Sequence, residues 1–129
     1  MPRLVFFLPL LLATAASAQV AADRDVRLGG QSIVGRWEAV EVVGDAVATA
    51  DIQRGALTTT LVVNPTGHVI LRGTDRREGR GAPSAFSGRI EGGRVHLRGL
   101  AGEAEVALLG LRLHLVDPRG RRTVFVRDR

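Results

Sequence analysis

The chain has 129 residues, contains no cysteine, and carries a formal net charge of +5, with arginine supplying all 18 of its Lys and Arg residues. The charge excess is modest and only 4% of the residues are aromatic, which disfavours nucleic-acid binding, because such surfaces combine a basic face with stacking aromatic side chains. Without cysteine the chain has no disulfide, no thiolate metal ligand and no cysteine nucleophile, so its fold depends on a hydrophobic core alone.

The N-terminal residues have the pattern of a secretory signal. Arg3 supplies a positive charge, residues 4–12 form an apolar run broken only by a proline, and the small residues 16–18 suit a cleavage site. The apolar run is shorter than the roughly 20 residues that span a bilayer. We therefore expect residues 1–18 to be a signal peptide and the mature protein to be periplasmic or secreted, with no stable membrane insertion after its removal.

Residues 19–32 are small and polar and are predicted to form a flexible leader, followed by one domain over residues 33–129. In that domain apolar residues recur with a period of two, and glycine, Asn-Pro and Asp-Pro turns separate the runs, which is typical of an all-β sandwich or barrel. Residues 47–53 are predicted to form at most one short helical turn. The predicted strands are Val34–Val43, Leu57–Val63, His68–Arg72, Phe86–Glu91, Arg94–Arg98, Glu103–Leu108, Leu111–Val116 and Arg121–Arg127.

The turns predict which residues face each other on neighbouring strands. Residues 64–67 and 117–120 both follow the order Asx, Pro, any residue, Gly, which suits a three-residue hairpin loop. Gly92 and Gly93 suit a two-residue loop, and so do Leu109 and Gly110. The predicted inward pairs are Leu61 with Leu71, Val63 with Val69, Ile90 with Val95, Leu97 with Ala104, Val95 with Val106, Val106 with Leu113, Leu113 with Phe125, and Leu115 with Thr123.

The same registers place polar residues together on the outer face. They put His96, Glu105 and His114 in one row across three strands, with opposite-charge pairs beside it. Because alternate strands lie roughly 10 Å apart, we interpret this row as a polar ladder and not as a zinc site, and we expect no metal or other cofactor. The predicted outer pairs are Arg98 with Glu103, Glu91 with Arg94, and His96 with Glu105.

Eight strands in up-and-down order bring the last strand beside the first and close the barrel, which removes both sheet edges. The lone tryptophan, Trp37, begins the first strand, and the predicted registers turn Arg127 inward beside it. A guanidinium over an indole ring is favourable by roughly 0.5–2 kcal/mol, so we predict that these two residues close one end. Strict alternation would also bury Glu41, which predicts a β-bulge near Ala39.

The motif Gly35-Arg36-Trp37, with a late arginine, resembles the lipocalin-like (calycin) β-barrels. In that family the tryptophan of Gly-x-Trp packs under a basic residue from the end of the barrel. The resemblance gives Gly35, Trp37 and Arg127 the role of barrel closure, with Arg129 as the alternative to Arg127. It implies an eight-stranded antiparallel up-and-down β-barrel. The alternative fold is a β-sandwich in which the tryptophan lies on an edge strand.

The end of the barrel away from Trp37, here called the mouth, is the predicted binding site. The two long connections at this end, residues 44–56 and 73–85, are the kind of loop that carries function. Guanidinium groups bind carboxylate and phosphate oxygens bidentately, so an arginine-rimmed mouth predicts an anionic or amphipathic small ligand. The predicted ligand-binding residues are Arg72, Arg76, Arg77, Arg80, Arg119 and Arg121.

Two functions remain open. One is an exported barrel that binds a small apolar or amphipathic ligand at the mouth. The other is a protein-interaction module that acts through its loops or its leader. It is similar to small bacterial barrels that inhibit metalloproteases by inserting an N-terminal segment into the protease cleft, and residues 19–32 would be that segment here. An apolar cavity would favour the first and a filled interior the second. We expect a monomer that is not an enzyme, because the sequence has no recognisable nucleophile–histidine pair, carboxylate pair or phosphate-binding loop.

Overall fold

The structure is a computed structural model that describes residues 26–77, 83–99 and 102–128. The predicted signal segment lies outside these residues, as do Arg80 and Arg129. Within the described ranges no helix is long and apolar enough to cross a membrane. The elements are β1 (Arg27–Leu28), β2 (Gln31–Ser32), β3 (Gly35–Val42), α1 (Ala46–Gln53), β4 (Leu57–Val63), β5 (His68–Asp75), β6 (Pro83–Glu91), β7 (Arg94–Leu97), β8 (Ala104–Leu109), β9 (Arg112–Val116) and β10 (Arg122–Arg127).

Strands β3 to β10 form a closed barrel in which every neighbouring pair is antiparallel and β10 pairs with β3. The predicted all-β, eight-stranded antiparallel barrel is therefore confirmed, and it is compatible with a lipocalin-like fold. Each predicted strand has its counterpart. The largest differences are at β5, which extends to Asp75, and at β6, which begins at Pro83.

Most of the predicted registers are confirmed. The turns with Asx-Pro and the Gly92-Gly93 loop hold their strands as expected, and these turns fix the register because a glycine with positive φ occupies each of them. The register of the β7–β8 pair and that of the β8–β9 pair were predicted wrongly, each by two residues. The confirmed pairs are Leu61 with Leu71, Val63 with Val69, Ile90 with Val95, Glu91 with Arg94, Leu113 with Phe125, and Leu115 with Thr123.

The error at β8–β9 comes from the position of Gly110 in its turn. The loop consists of Gly110 and Leu111, not of Leu109 and Gly110, and Val106 consequently faces Leu115. Gly110 has φ +63°, and a positive φ at the first loop position is what a type II′ turn requires. Leu111, predicted to point inward, therefore lies at the tip and is 86% exposed.

The β7–β8 register also differs from the prediction, and the outer polar row is lost with it. Val95 faces Ala104, and the backbone N–H of Arg98 donates to the Ser87 carbonyl at 2.9 Å, so this part of the chain continues along β6. A shift of two residues keeps every side chain on its own face, and the core is unchanged. The predicted pairs of Arg98 with Glu103 and of His96 with Glu105 are not formed. Instead His96 faces Arg89, His114 faces Ala107, Arg94 faces Glu105, and Arg94 lies 3.7 Å from Glu103 in an ion pair.

The predicted β-bulge near Ala39 is confirmed. Phe125 faces Ala39 while the preceding residue of β10 faces Glu41, which leaves Val40 as the extra residue of β3. The bulge reverses the alternation, so Ala39 and Val42 are both buried whereas the Glu41 side chain is 44% exposed. The carboxylate thus avoids the cost of burial without a partner.

The inward side chains of all eight barrel strands meet in one hydrophobic core. Its members are mostly medium-sized aliphatic residues, with Trp37 at one end and Phe125 near it in β10. Interiors of eight-stranded barrels are either filled by side chains or hold one small ligand, and here buried side chains from all eight strands converge on the centre. The largest fully buried members are Trp37, Phe125, Ile33, Leu61, Leu97, Leu113, Val26, Val63, Val69, Val95 and Val124.

Strands β1 and β2 form a short hairpin within the segment predicted as a flexible leader. Val26 and Ile33 flank this hairpin, are 1% and 0% exposed, and are joined by a hydrogen bond of 3.0 Å from the Ile33 N–H to the Val26 carbonyl. Two buried side chains, on either side of a Gly-Gly turn, anchor residues 26–33 against the barrel. We call these residues the strap.

Gly88 is expected to tolerate no side chain, whereas Gly73 on the neighbouring strand does. A Cβ at Gly88 would collide with the backbone carbonyl of His96, while one at Gly73 would lie 3.4 Å from its nearest neighbour. We expect Gly88→Ala to lower the free energy of unfolding by about 1–3 kcal/mol and Gly73→Ala to change it by less than about 1 kcal/mol. Urea denaturation of both variants tests this, and equal stabilities would contradict it.

Candidate functional site

The helix α1 lies at the mouth and is held there by the end of β3. The Asp45 carboxylate caps the helix by accepting from the Ala48 N–H at 2.9 Å. The Thr49 hydroxyl accepts from the Val42 N–H at 3.0 Å and donates to the Val42 carbonyl at 3.1 Å. Ile52 packs against the core. The helix consequently covers part of the mouth.

Arg77, one of the predicted ligand-binding residues, is bound to two carboxylates of the protein itself. Its Nη2 lies 2.6 Å from Asp75 Oδ2 and its Nε donates to Asp75 Oδ1 at 2.9 Å, while its Nη1 lies 3.6 Å from Asp51 Oδ2. Asp51 is the only charged residue buried in the described part of the chain, and Arg54 Nη2 approaches its Oδ1 at 2.6 Å. Arg77 therefore links α1 to the end of β5.

The Asp75 carboxyl is expected to titrate well below its usual range. Hydrogen bonds from the Arg77 side chain, and then from its backbone N–H, lower the pKa of Asp75 from 3.8 to about 2. Because the folded pKa is depressed, this contact stabilises the fold above pH 3.8 and loses its effect as the pH falls from there towards 2. NMR titration of the carboxyl carbon measures the midpoint. Arg77→Gln should return it towards 3.8, and an unchanged midpoint in that variant would contradict the assignment.

The other predicted arginines lie in two groups on opposite sides of the mouth. Arg72 and Arg76 belong to β5 and the residue after it, whereas Arg119 and Arg121 belong to the β9–β10 turn, on the far side of the barrel. Arg121 Nη2 lies 3.6 Å from Asp45 Oδ2 at the start of α1. Among the described residues, no carboxylate lies within ion-pair distance of the other three. The structure therefore brings the predicted residues to the same end but not into one cluster.

Arg72 lies in a groove on the outer face of β4, β5 and β6, close to the mouth. The groove has a volume of about 410 Å³. Arg72 faces Thr60 on one side and Ala85 on the other, and four of the residues that line the groove carry hydroxyl groups. We call this the Arg72 groove; it is lined by Thr58, Thr60, Arg72, Gly73, Thr74, Pro83, Ser84 and Ala85.

The threonines of this groove were not among the predicted site residues, although the sequence carries a signal for them. Thr58 and Thr60 alternate on β4, and Thr74 is two residues from Arg72 on β5, so period-two spacing places all of them on one face. A threonine hydroxyl both donates and accepts hydrogen bonds, and a guanidinium donates up to five. Together they offer the donors that an oxyanion needs.

The aromatic side chain of Phe86 is partly exposed at the mouth. Phe86 faces Leu71 across the β5–β6 pair but is 38% exposed. It lies beside Gly99, where a Cβ would be 3.7 Å from the Phe86 ring. The rim thus combines an apolar surface with arginines on either side.

At the opposite end, here called the base, Trp37 is enclosed between the core and Arg127. The Arg127 Cζ lies 4.3 Å from the centroid of the Trp37 ring. Its Nη1 donates to the Val34 carbonyl at 2.7 Å and its Nη2 to the Ser32 carbonyl at 2.8 Å. The indole Nε1 donates to the Ile33 carbonyl at 2.9 Å. These bonds join the strap, the tryptophan and the last strand.

The closure requires glycine at position 35 for two reasons, its positive φ and its lack of a side chain. Its φ is +132°, and a Cβ there would lie 3.0 Å from Arg127 Nη1. An L-residue rarely adopts this φ. The glycine of the Gly-x-Trp motif therefore leaves the space through which the guanidinium reaches the strap.

The described residues contain no group of three or more histidine and acidic side chains placed to hold a metal ion. His114 is a half-buried outer-face residue, and its buried Nδ1 has no hydrogen-bond partner. Burial, with a smaller contribution from Arg122, lowers the pKa of His114.

The chain matches no protein-family model, and comparisons with curated proteins and with solved structures also find no match.

Proposed function

We propose that the protein is an exported, non-catalytic binding barrel that takes a small amphipathic anion at its mouth, with Arg72 at the centre of the anion site. The observation that carries this proposal is the Arg72 groove. Arg72 has no carboxylate partner among the described residues, and the hydroxyls of Thr58, Thr60 and Thr74 line the same groove. A cation without a carboxylate partner, in a groove that also offers hydroxyl groups, suits a carboxylate, sulfate or phosphate.

The buried side chains that converge on the centre of the barrel favour a site at the mouth over one in the interior. Pro83 and Ala85 give the Arg72 groove an apolar wall, which suits the apolar part of an amphipathic ligand. Arg76, Arg119 and Arg121 add positive potential around the mouth, which attracts anions. Arg77 acts differently, because its ion pairs with Asp51 and Asp75 position the helix.

Native mass spectrometry of the protein purified from the periplasm or culture medium of its own host tests this function. We expect a small bound mass in the unmodified protein and at least about tenfold less of it in Arg72→Gln, since a charge-assisted contact is lost. Arg89→Gln is the matched control, because Arg89 is also exposed on an outer strand face but lies near the base. A protein without any bound small mass, or equal loss in both variants, would contradict the proposal.

The second candidate is a protein-interaction module, and the buried side chains in the centre of the barrel favour it. The strap restricts which part of the predicted leader could enter a protease cleft. Because residues 26–33 are packed on the base, that part would consist of the residues before them. The same spectra distinguish the two functions. A co-purifying polypeptide in place of a small molecule would support the interaction module.

A further inference from the structure

A second groove opens at the base, between the strap and the β8–β9 turn. Its volume is about 570 Å³, within the range of roughly 300–1,000 Å³ that small-molecule sites occupy. Trp37 and Leu108 form its inner end, and Leu111 and Val126 form apolar walls, with Gln31 of the strap at its edge. We call it the base groove. It is separate from the Arg72 groove, which lies near the mouth.

The base groove carries an excess of positive charge. Arg127 borders it and uses two of its five N–H groups on the carbonyls of Ser32 and Val34, and no carboxylate lies within ion-pair distance of it among the described residues. Arg112 also borders it, with Nη1 at 4.0 Å from Glu41 Oε1, which is a weak contact. The one acidic residue at the groove, Asp128, is already held by Arg36 at 3.0 Å.

From this combination we infer that the base groove binds a free medium-chain aliphatic carboxylate. The apolar chain lies along Leu108, Leu111 and Val126 towards the Trp37 ring. The carboxylate meets the guanidinium groups of Arg112 and Arg127 at the edge of the groove. The side chain of Leu111 is 86% exposed in the free protein, and covering it with the ligand chain removes apolar surface from water.

Because Trp37 is the only tryptophan of the chain, its fluorescence reports directly on the base groove. Titration with decanoate is expected to give a saturable change in intensity or emission maximum. Decanol has the same chain without the charge and should bind at least about fivefold more weakly. Acetate has the charge without the chain and should produce no change. A signal that does not saturate with decanoate, or equal binding of decanol, would overturn the inference.

Two variants locate the site. Leu111→Ser and Arg112→Gln should each raise the Kd for decanoate by about fivefold, through lost apolar contact and lost charge respectively. Leu109→Ser is the matched control, since Leu109 is 54% exposed in the same hairpin but does not line the groove; its Kd should be unchanged. Far-UV circular dichroism verifies that each variant is folded, as expected for substitutions at exposed positions.

The result for the base groove can be distinguished from the result for the proposed anion site in the Arg72 groove. Arg72→Gln should leave decanoate binding at the base unchanged. If Arg72→Gln weakens decanoate binding and Leu111→Ser does not, the base site is wrong whereas the Arg72 groove is supported. Size-exclusion chromatography tests the other possible occupant, which is a second copy of this chain. A dimer that becomes a monomer in Leu111→Ser would show that a second copy fills the groove, and would overturn the carboxylate assignment.

Discussion

Replacing Trp37 with alanine is expected to lower the free energy of unfolding by about 3–5 kcal/mol, the usual cost of truncating a buried tryptophan. The side chain is 2% exposed and contacts the core on one side and the Arg127 guanidinium on the other. The change removes the buried apolar area, the ring under the cation and the indole hydrogen bond to the Ile33 carbonyl. Since domains of this size have a total stability of about 5–15 kcal/mol, the loss is a large fraction.

Urea denaturation followed by far-UV circular dichroism measures this loss, because the variant has no tryptophan fluorescence. Leu111→Ala is the matched control, as an 86% exposed side chain whose removal should change stability by less than about 0.5 kcal/mol. Should Trp37→Ala fail to fold, Trp37→Phe keeps a ring in the space and still loses the indole N–H. A Trp37→Phe variant as stable as the unmodified protein, together with a small loss in Trp37→Ala, would show that the base does not depend on this residue.

Replacing Arg127 with methionine is expected to cost about 2–3 kcal/mol and to loosen the strap, because hydrogen bonds from charged groups contribute about 1.5–3 kcal/mol and cation–π contacts about 0.5–2 kcal/mol. Methionine preserves much of the side-chain length but loses both donors to the Val34 and Ser32 carbonyls. In this variant the strap loses its side-chain hydrogen bonds to β10. We therefore expect faster local opening of the strap in addition to a lower free energy of unfolding of the whole protein.

Hydrogen exchange at the Ile33 amide, which donates to Val26, reports on the strap directly. We expect it to become at least tenfold faster in Arg127→Met, while urea denaturation monitored by Trp37 fluorescence gives the global loss. Arg122→Met is the control on the same strand, and it should stay within about 0.5 kcal/mol of the unmodified protein. Slow exchange at Ile33 in Arg127→Met would show that the strap is held by its buried side chains alone.

The barrel and its closure could be predicted from the sequence wherever a residue in a turn is compatible with only one backbone geometry. Glycines after Asx-Pro leave a single hairpin geometry, so Leu61 meets Leu71 and Leu113 meets Phe125 as expected. Gly110 was ambiguous, because a two-residue loop accepts glycine at either position, and the wrong choice moved Leu111 from the surface to the interior. Local turn chemistry thus decided both the correct registers and the wrong one.

The candidate sites were less predictable, because they depend on distances between elements that are remote in the chain. Six arginines near loops suggested a ring, yet nothing in the sequence shows that Arg77 is bound by Asp75 and Asp51. The strap was missed because its anchors are only two side chains, Val26 and Ile33, next to polar residues. The base groove depends on Leu111 lying outside the barrel, and the sequence predicted the β8–β9 register wrongly and placed Leu111 inside.

Closure of the barrel also restricts how another polypeptide could bind to it. Strand β10 pairs with β3, so each of the eight barrel strands has a hydrogen-bonded neighbour on both sides. Closure thus removes the full-length open edge that β-augmentation uses. We therefore expect another chain to recognise this barrel mainly through side chains, loops or the short β1–β2 hairpin, and the same closure limits edge-to-edge aggregation.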